Sequence, residues 1–167
     1  MDARTQAWLD QWDAMVTEKI RTHGWFIQYV FDGECFHPGC DGGDSGEPPF
    51  AYTVGLFGLD HPELLIFGLP PETASGVLNT LGGRIRNGED LIPGQLITFE
   101  SWPHRIIPEV VPNPGEIVLE ANRFYQRPDE ASVPVLQLSY DDLRGRFPWE
   151  EGYSAPTMQP RPGTFRA

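Results

Sequence analysis

The sequence predicts a single α+β domain with a mainly antiparallel sheet, about six strands and about three helices. Three observations predict it. Short apolar runs rich in aromatic and β-branched residues recur along the chain, each bounded by Gly or Pro. Only three stretches show helical spacing, so strands follow one another across turns as often as across helices. The 18 Gly and 17 Pro, about a fifth of the 167 residues, favour many turns and short elements. Such a sheet is open or curls into a partial barrel, and the helix after Leu69 is placed to make one right-handed parallel crossover.

Residues 5–23 open the domain, with Trp8, Trp12, Met15, Val16 and Ile20 on one helical face and Gly24 as the stop. Trp25–Phe31 reads as the first strand. Asp32–Glu47 is a Gly- and acid-rich loop, longer than most connections in a compact domain. Two apolar runs follow, Phe50–Phe57 and Glu63–Leu69, on either side of a Gly58-Leu59-Asp60-His61-Pro62 turn. The second shows no polar alternation, which marks a central strand buried on both faces. The first puts Ala51, Thr53, Gly55 and Phe57 on one side, a face small enough for a ligand or another backbone to come close. Pro71 starts a helix with Ala74, Val77, Leu78, Leu81 and Ile85 inward, and Gly82-Gly83 reads as a close-packing point or a break in its last turn. Gln95–Glu100 and His104–Val111 read as a hairpin turning at Trp102-Pro103. Glu116–Tyr125 is a short helix and Val133–Tyr140 the last strand. Residues 1–152 form the domain, and 153–167 an extended Pro-rich tail over the surface with little to bury.

The net charge of −12 sets limits on partners. Twelve Lys and Arg against 24 acids give little with which to neutralise phosphates, so nucleic acid and anionic membranes are disfavoured. No apolar stretch approaches the ~20 residues that span a bilayer. The start, MDARTQAWLDQWDAM, has neither a basic region nor an apolar core of a signal peptide. With two Cys in the chain, the expected compartment is the reducing cytoplasm.

Several residues carry candidate chemistry. Cys35, His37 and Cys40 supply three ligand types that suit zinc, with Asp41, Asp44 or His23 as a fourth, although the usual second Cys/His pair is missing. His61 is a candidate general base oriented by Asp60 or Glu63, but Asp-His-Pro is also an ordinary turn signal. His104 starts a strand, and Asp141 ends one, where catalytic carboxylates often lie. Both also read as plain turn and strand-end residues. The common hydrolase, nucleotide-binding and metalloprotease motifs are absent. Trp25, Tyr52, Phe57, Trp102, Tyr125 and Trp149 suit either a core or a ring-binding pocket. Trp149 and Tyr153 are placed to pin the tail.

Four blocks carry a resemblance. They are His23-Gly24-Trp25, then Pro49-Phe50-Ala51-Tyr52-Thr53-Val54-Gly55-Leu56, then His61-Pro62-Glu63-Leu64 with Phe67-Gly68-Leu69-Pro70. The last is Leu136-Gln137-Leu138 followed by Gly145-Arg146-Phe147-Pro148-Trp149 and Gly152-Tyr153. Together they resemble the uncharacterised bacterial family called domain of unknown function 4262, over about His23 to Gln159. The resemblance implies a single-domain bacterial protein and brings no activity, and it places the Cys loop where members vary. It singles out His23, Tyr52, Thr53, His61 and Trp149. The order of strand, turn and strand also resembles the start of flavin-reductase-type split barrels. The basic residues expected for a flavin phosphate are not evident near Thr53.

The leading expectation is a domain that binds a small molecule or a partner protein in a cleft beside the Tyr52–Leu56 strand, with Tyr52, Thr53, His23 and Trp149 as ligand-binding candidates. An enzyme using His61 or His104 with Asp60 or Asp141 is the second. A plain interaction module with an exposed apolar patch is the third.

Overall fold

The computed structural model describes residues 2–31 and 47–167. The Cys35, His37 and Cys40 cluster, with Asp41 and Asp44, lies outside the described residues. Helix α1 (Ala3–His23) begins where the Asp2 carboxylate accepts the Thr5 N–H at 2.7 Å. It ends at Gly24, whose φ of 98° lets its N–H turn back to the Ile20 carbonyl. Strand β1 (Phe26–Val30) pairs with β2 (Phe50–Val54), which pairs with β3 (Glu63–Phe67), all antiparallel. Helix α2 (Pro71–Arg86), strand β4 (Ile106–Val110), helix α3 (Leu119–Phe124) and strand β5 (Val135–Tyr140) complete the chain of elements.

The sheet order is β1-β2-β3-β5-β4, and β3 with β5 is its one parallel pair among the described residues. The sheet is therefore open, with β1 and β4 at its edges, rather than a partial barrel. α2 does not deliver the chain to a parallel neighbour. It leads to β4 at the far edge, and β5 then returns into the gap between β3 and β4. The expected hairpin at Trp102-Pro103 shrinks to a single bridge, with Ile97 and Ile106 exchanging both backbone hydrogen bonds at 2.8 and 2.9 Å. Phe99 and Trp102 instead turn their rings to each other and, through Trp102, to Tyr140. Among the described residues five strands stand where about six were expected.

Each face of the sheet buries its own cluster. On one, Ala51, Leu64, Ile66, Leu136 and Leu138 meet Ala74, Val77, Leu78, Leu81 and Ile85 of α2. On the other, Phe50, Tyr52, Leu65, Phe67 and Val135 meet Val118 and Ala121 at α3, with Ile20 of α1 packed alongside. All of β3 is buried, as a central strand requires. The Gly82-Gly83 pair separates into two roles. A methyl at Gly82 would sit 2.8 Å from the Trp25 ring, so this glycine lets the indole lie on α2. A methyl at Gly83 would meet nothing within 4 Å.

The tail is not a loose strap. Phe165 enters the second cluster, and Gln159, 2% exposed, binds both the N–H and the carbonyl of Tyr140. Arg161 forks onto Glu109 at 2.7 and 2.6 Å, and Glu109 accepts the Ser139 hydroxyl. The polar inward side chains of β4 and β5 explain why a Pro-rich segment with few apolar residues is held.

Candidate functional site

The small face of β2 turns out to admit backbone. At Gly55, φ is 133°, and a methyl there would lie 2.6 Å from the Gly24 carbonyl oxygen. β2 ends at Val54, and Leu56 begins a 3-10 turn (Leu56–Leu59) instead of continuing the strand. Glu63 holds that turn. Its carboxylate accepts the N–H groups of Gly55, Leu56 and Phe57 and the hydroxyl of Thr53, the last at 2.5 Å. Thr53 in turn accepts the Leu64 N–H. Glu63 has no exposed surface, and burial pushes its carboxyl up to about 7 against the pull of those four donors. Thr53 is therefore part of the frame that carries this turn.

His61 is 3% exposed and wired to backbone at both nitrogens. The Leu91 N–H donates to Nε2 at 3.0 Å, so Nδ1 carries the proton and faces the Pro62 carbonyl at 2.8 Å. The turn containing Asp60 is thereby tied to the segment after α2. The groups that Glu63 accepts from do not include His61.

His104 and Asp141 do meet, 37 residues apart in sequence. Nδ1 of His104 lies 2.5 Å from the Asp141 carbonyl oxygen and 3.4 Å from Oδ1. The ring packs against Trp102 and Tyr140. Asp141 is 3% exposed and its carboxylate also accepts the backbone N–H and the Nε of Arg105 at 2.9 and 2.7 Å.

Tyr52 belongs to a different place. A cleft of about 520 Å³ opens between α1, the β1–β2 pair and the start of α3. Trp8 and Trp12, stacked at 5.8 Å, form one wall; Phe50, Tyr52 and Leu119 contribute to the rest. The Tyr52 hydroxyl accepts the Glu120 N–H at 3.0 Å, and burial holds the phenol protonated well above its ordinary range. Trp12 donates its indole N–H to Glu120. Gln28, from the middle of β1, also lines this cleft. Its buried Oε1 has no hydrogen-bond partner among the described residues. His23 lines a second hollow at the C-terminal end of α1, and Trp149, 43% exposed, a third beside β4, where Arg161 stacks on it at 5.0 Å. The four ligand-binding candidates therefore occupy four separate settings.

The sequence profile described as domain of unknown function 4262 matches residues 19–154. The chain belongs to that family. No curated protein and no solved structure gives a significant match. The segment shared with domain of unknown function 4262 contains Gln28, Tyr52, Glu120, Glu63, His61, His104 and Asp141. Trp8 and Trp12 precede it, so the cleft combines a family floor with a wall from outside the matched segment. Gln28 escaped sequence reasoning, although a lone amide inside the apolar run Trp25–Phe31 was a visible signal. Among the described residues no group of three or more His, Cys, Asp or Glu is placed to hold a metal ion. No described helix is long and apolar enough to cross a membrane.

Proposed function

We propose that this protein is a binding module for a small, flat, largely apolar molecule with one polar edge, taken between α1, β2 and α3. The observation that carries the reading is the unpartnered Gln28 Oε1 in a cleft lined mainly by aromatic and aliphatic side chains, with Glu120 and Arg123 also on its lining. A buried acceptor without a donor is costly, about 1–3 kcal/mol, and a ligand N–H would relieve it. The Tyr52 hydroxyl already accepts from Glu120, so its own proton is available to a ligand carbonyl. A volume of about 520 Å³ falls in the usual range for small-molecule sites. Trp8, 58% exposed, keeps a large ring surface uncovered at the rim.

The test is titration with benzamide, oxindole and related single- and double-ring amides, followed by tryptophan fluorescence and thermal shift. Binding to the native state must raise the melting temperature. We expect saturable stabilisation by ring amides, weakened about tenfold by Gln28→Leu and by Tyr52→Phe. Stabilisation that survives both substitutions and Trp8→Ala would remove the reading, as would no response to any of these compounds.

A second reading rests on the approach of His104 to Asp141. With Nδ1 donating to the Asp141 carbonyl, Nε2 is the nitrogen left to act as a base. It predicts a hydrolytic or proton-transfer activity lost in His104→Gln with the fold retained. Equal turnover by wild type and variant in a broad ester and amide substrate panel would dismiss it.

A further inference from the structure

The hollow that His23 lines has an unusual lining for so acidic a chain. It measures about 470 Å³ and lies between the C-terminal ends of α1 and α2 and the start of β1. Its charged and polar side chains are Lys19, His23, Asn79 and Arg86, and no acidic residue lines it. Lys19 is the single lysine of the sequence. The ion pairs of the described residues engage Arg105, Arg123, Arg161 and Arg166, but neither Lys19 nor Arg86. Arg86 is held by other means, donating one N–H to the His23 carbonyl at 3.0 Å and lying over the Trp25 ring at 5.2 Å. That leaves the rest of its guanidinium donors free to face a ligand. Asn79 accepts the Trp25 indole N–H on Oδ1 at 2.9 Å, which fixes the amide so that Nδ2 presents donors alone.

The ordinary explanation for cations at helix ends is the macrodipole, and it covers part of the pattern. Two C-termini contribute roughly one negative charge between them, whereas Lys19 and Arg86 alone bring two positive charges. The surplus is positive, and Lys19, Arg86 and the Asn79 Nδ2 present donors alone, with the His23 ring beside them able to donate one N–H. A group that only accepts, carries close to two negative charges and offers several oxygens is the complement. We propose that this hollow binds the phosphoryl group of a small molecule. The site shares no lining residue with the Tyr52 cleft, so it stands or falls independently of the function proposed above.

The experiment is a titration of the full chain with inorganic phosphate at constant ionic strength, with acetate in a parallel series. Amide NMR shifts of the Asn79 side chain and of Gly83 give the site-specific readout. The expected result is saturable shifts with phosphate, at least tenfold tighter than with acetate, and weakened about tenfold by Lys19→Ala. Because Arg86 also supports Trp25, the second variant is Gly83→Phe, which fills the hollow from a position with no neighbour within 4 Å and changes no charge. It should abolish the shift of Asn79. Non-saturating shifts, equal affinity for acetate, or phosphate binding that survives both Lys19→Ala and Gly83→Phe overturns the proposal.

Discussion

Glu63 accepts four hydrogen bonds and still sits, through burial, at about 7. Because that is above the 4.5 of an ordinary Glu, its contribution to stability is fully present below pH 4.5 and lost as pH rises through 7. Chemical denaturation should show stability falling between about pH 4.5 and 7 by up to ~3 kcal/mol from this residue and levelling off above that, and Glu63→Gln should flatten that slope. A flat wild-type profile refutes it. The two neighbouring glycines of α2 make a sharper pair. Gly82→Ala drives a methyl into the Trp25 ring and should destabilise by ~1–3 kcal/mol, whereas Gly83→Ala meets open space and should stabilise by about 0.5–1 kcal/mol. Equal effects of the two substitutions would show that Trp25 does not set the spacing. At this scale the sequence was informative about identity and silent about direction. His61, His104 and Asp141 stand out by type, yet only tertiary contact decides that His61 binds the Leu91 backbone while His104 finds Asp141.

Among the elements, the strand-turn-strand heart of the chain was legible because a continuous apolar run and its Gly and Pro borders are local signals. Its break after Val54 was not, since it depends on a carboxylate eight residues beyond Gly55 capping three N–H groups. The missing sixth strand has a similar cause. Gln95–Glu100 has strand-like composition, but Phe99 and Trp102 pack as a ring cluster and leave Ile97 alone in register with Ile106. His61 ties two such elements together, so His61→Ala should leave the Leu91 N–H buried without an acceptor and cost about 1–3 kcal/mol. Amide exchange at Leu91 should then accelerate more than exchange in β5. Uniform acceleration across the sheet would mean that the ring acts on the whole fold.

For the whole molecule, the α+β class and the antiparallel bias followed from composition and element order, while the late insertion of β5 between β3 and β4 did not. No local pattern reports which gap a strand will fill. The tail was legible only in part. Trp149 and Tyr153, its expected pins, do meet Arg161 and Gln159, but the amide, guanidinium and Phe165 ring that anchor it to the sheet gave no local signal among the prolines. Removing residues 159–167 should lower stability by at least the ~1.5–3 kcal/mol of burying Phe165, and further through the exposed Tyr140 backbone and Glu109. An unchanged melting temperature would make the tail dispensable. The segment lies beyond the matched residues 19–154, so the same truncation also measures how far the fold depends on a part outside the family segment.

The hold of Gln159 and Arg161 on β4 and β5 also bears on the order of events during folding. All the described strands precede these residues in the chain, so a sheet that forms before they dock stands with Gln137, Ser139 and Glu109 uncovered on one flank. Docking of Gln159 and Arg161 is then the event that seals this flank, and any delay in it prolongs the interval in which chaperones or proteases can reach those side chains.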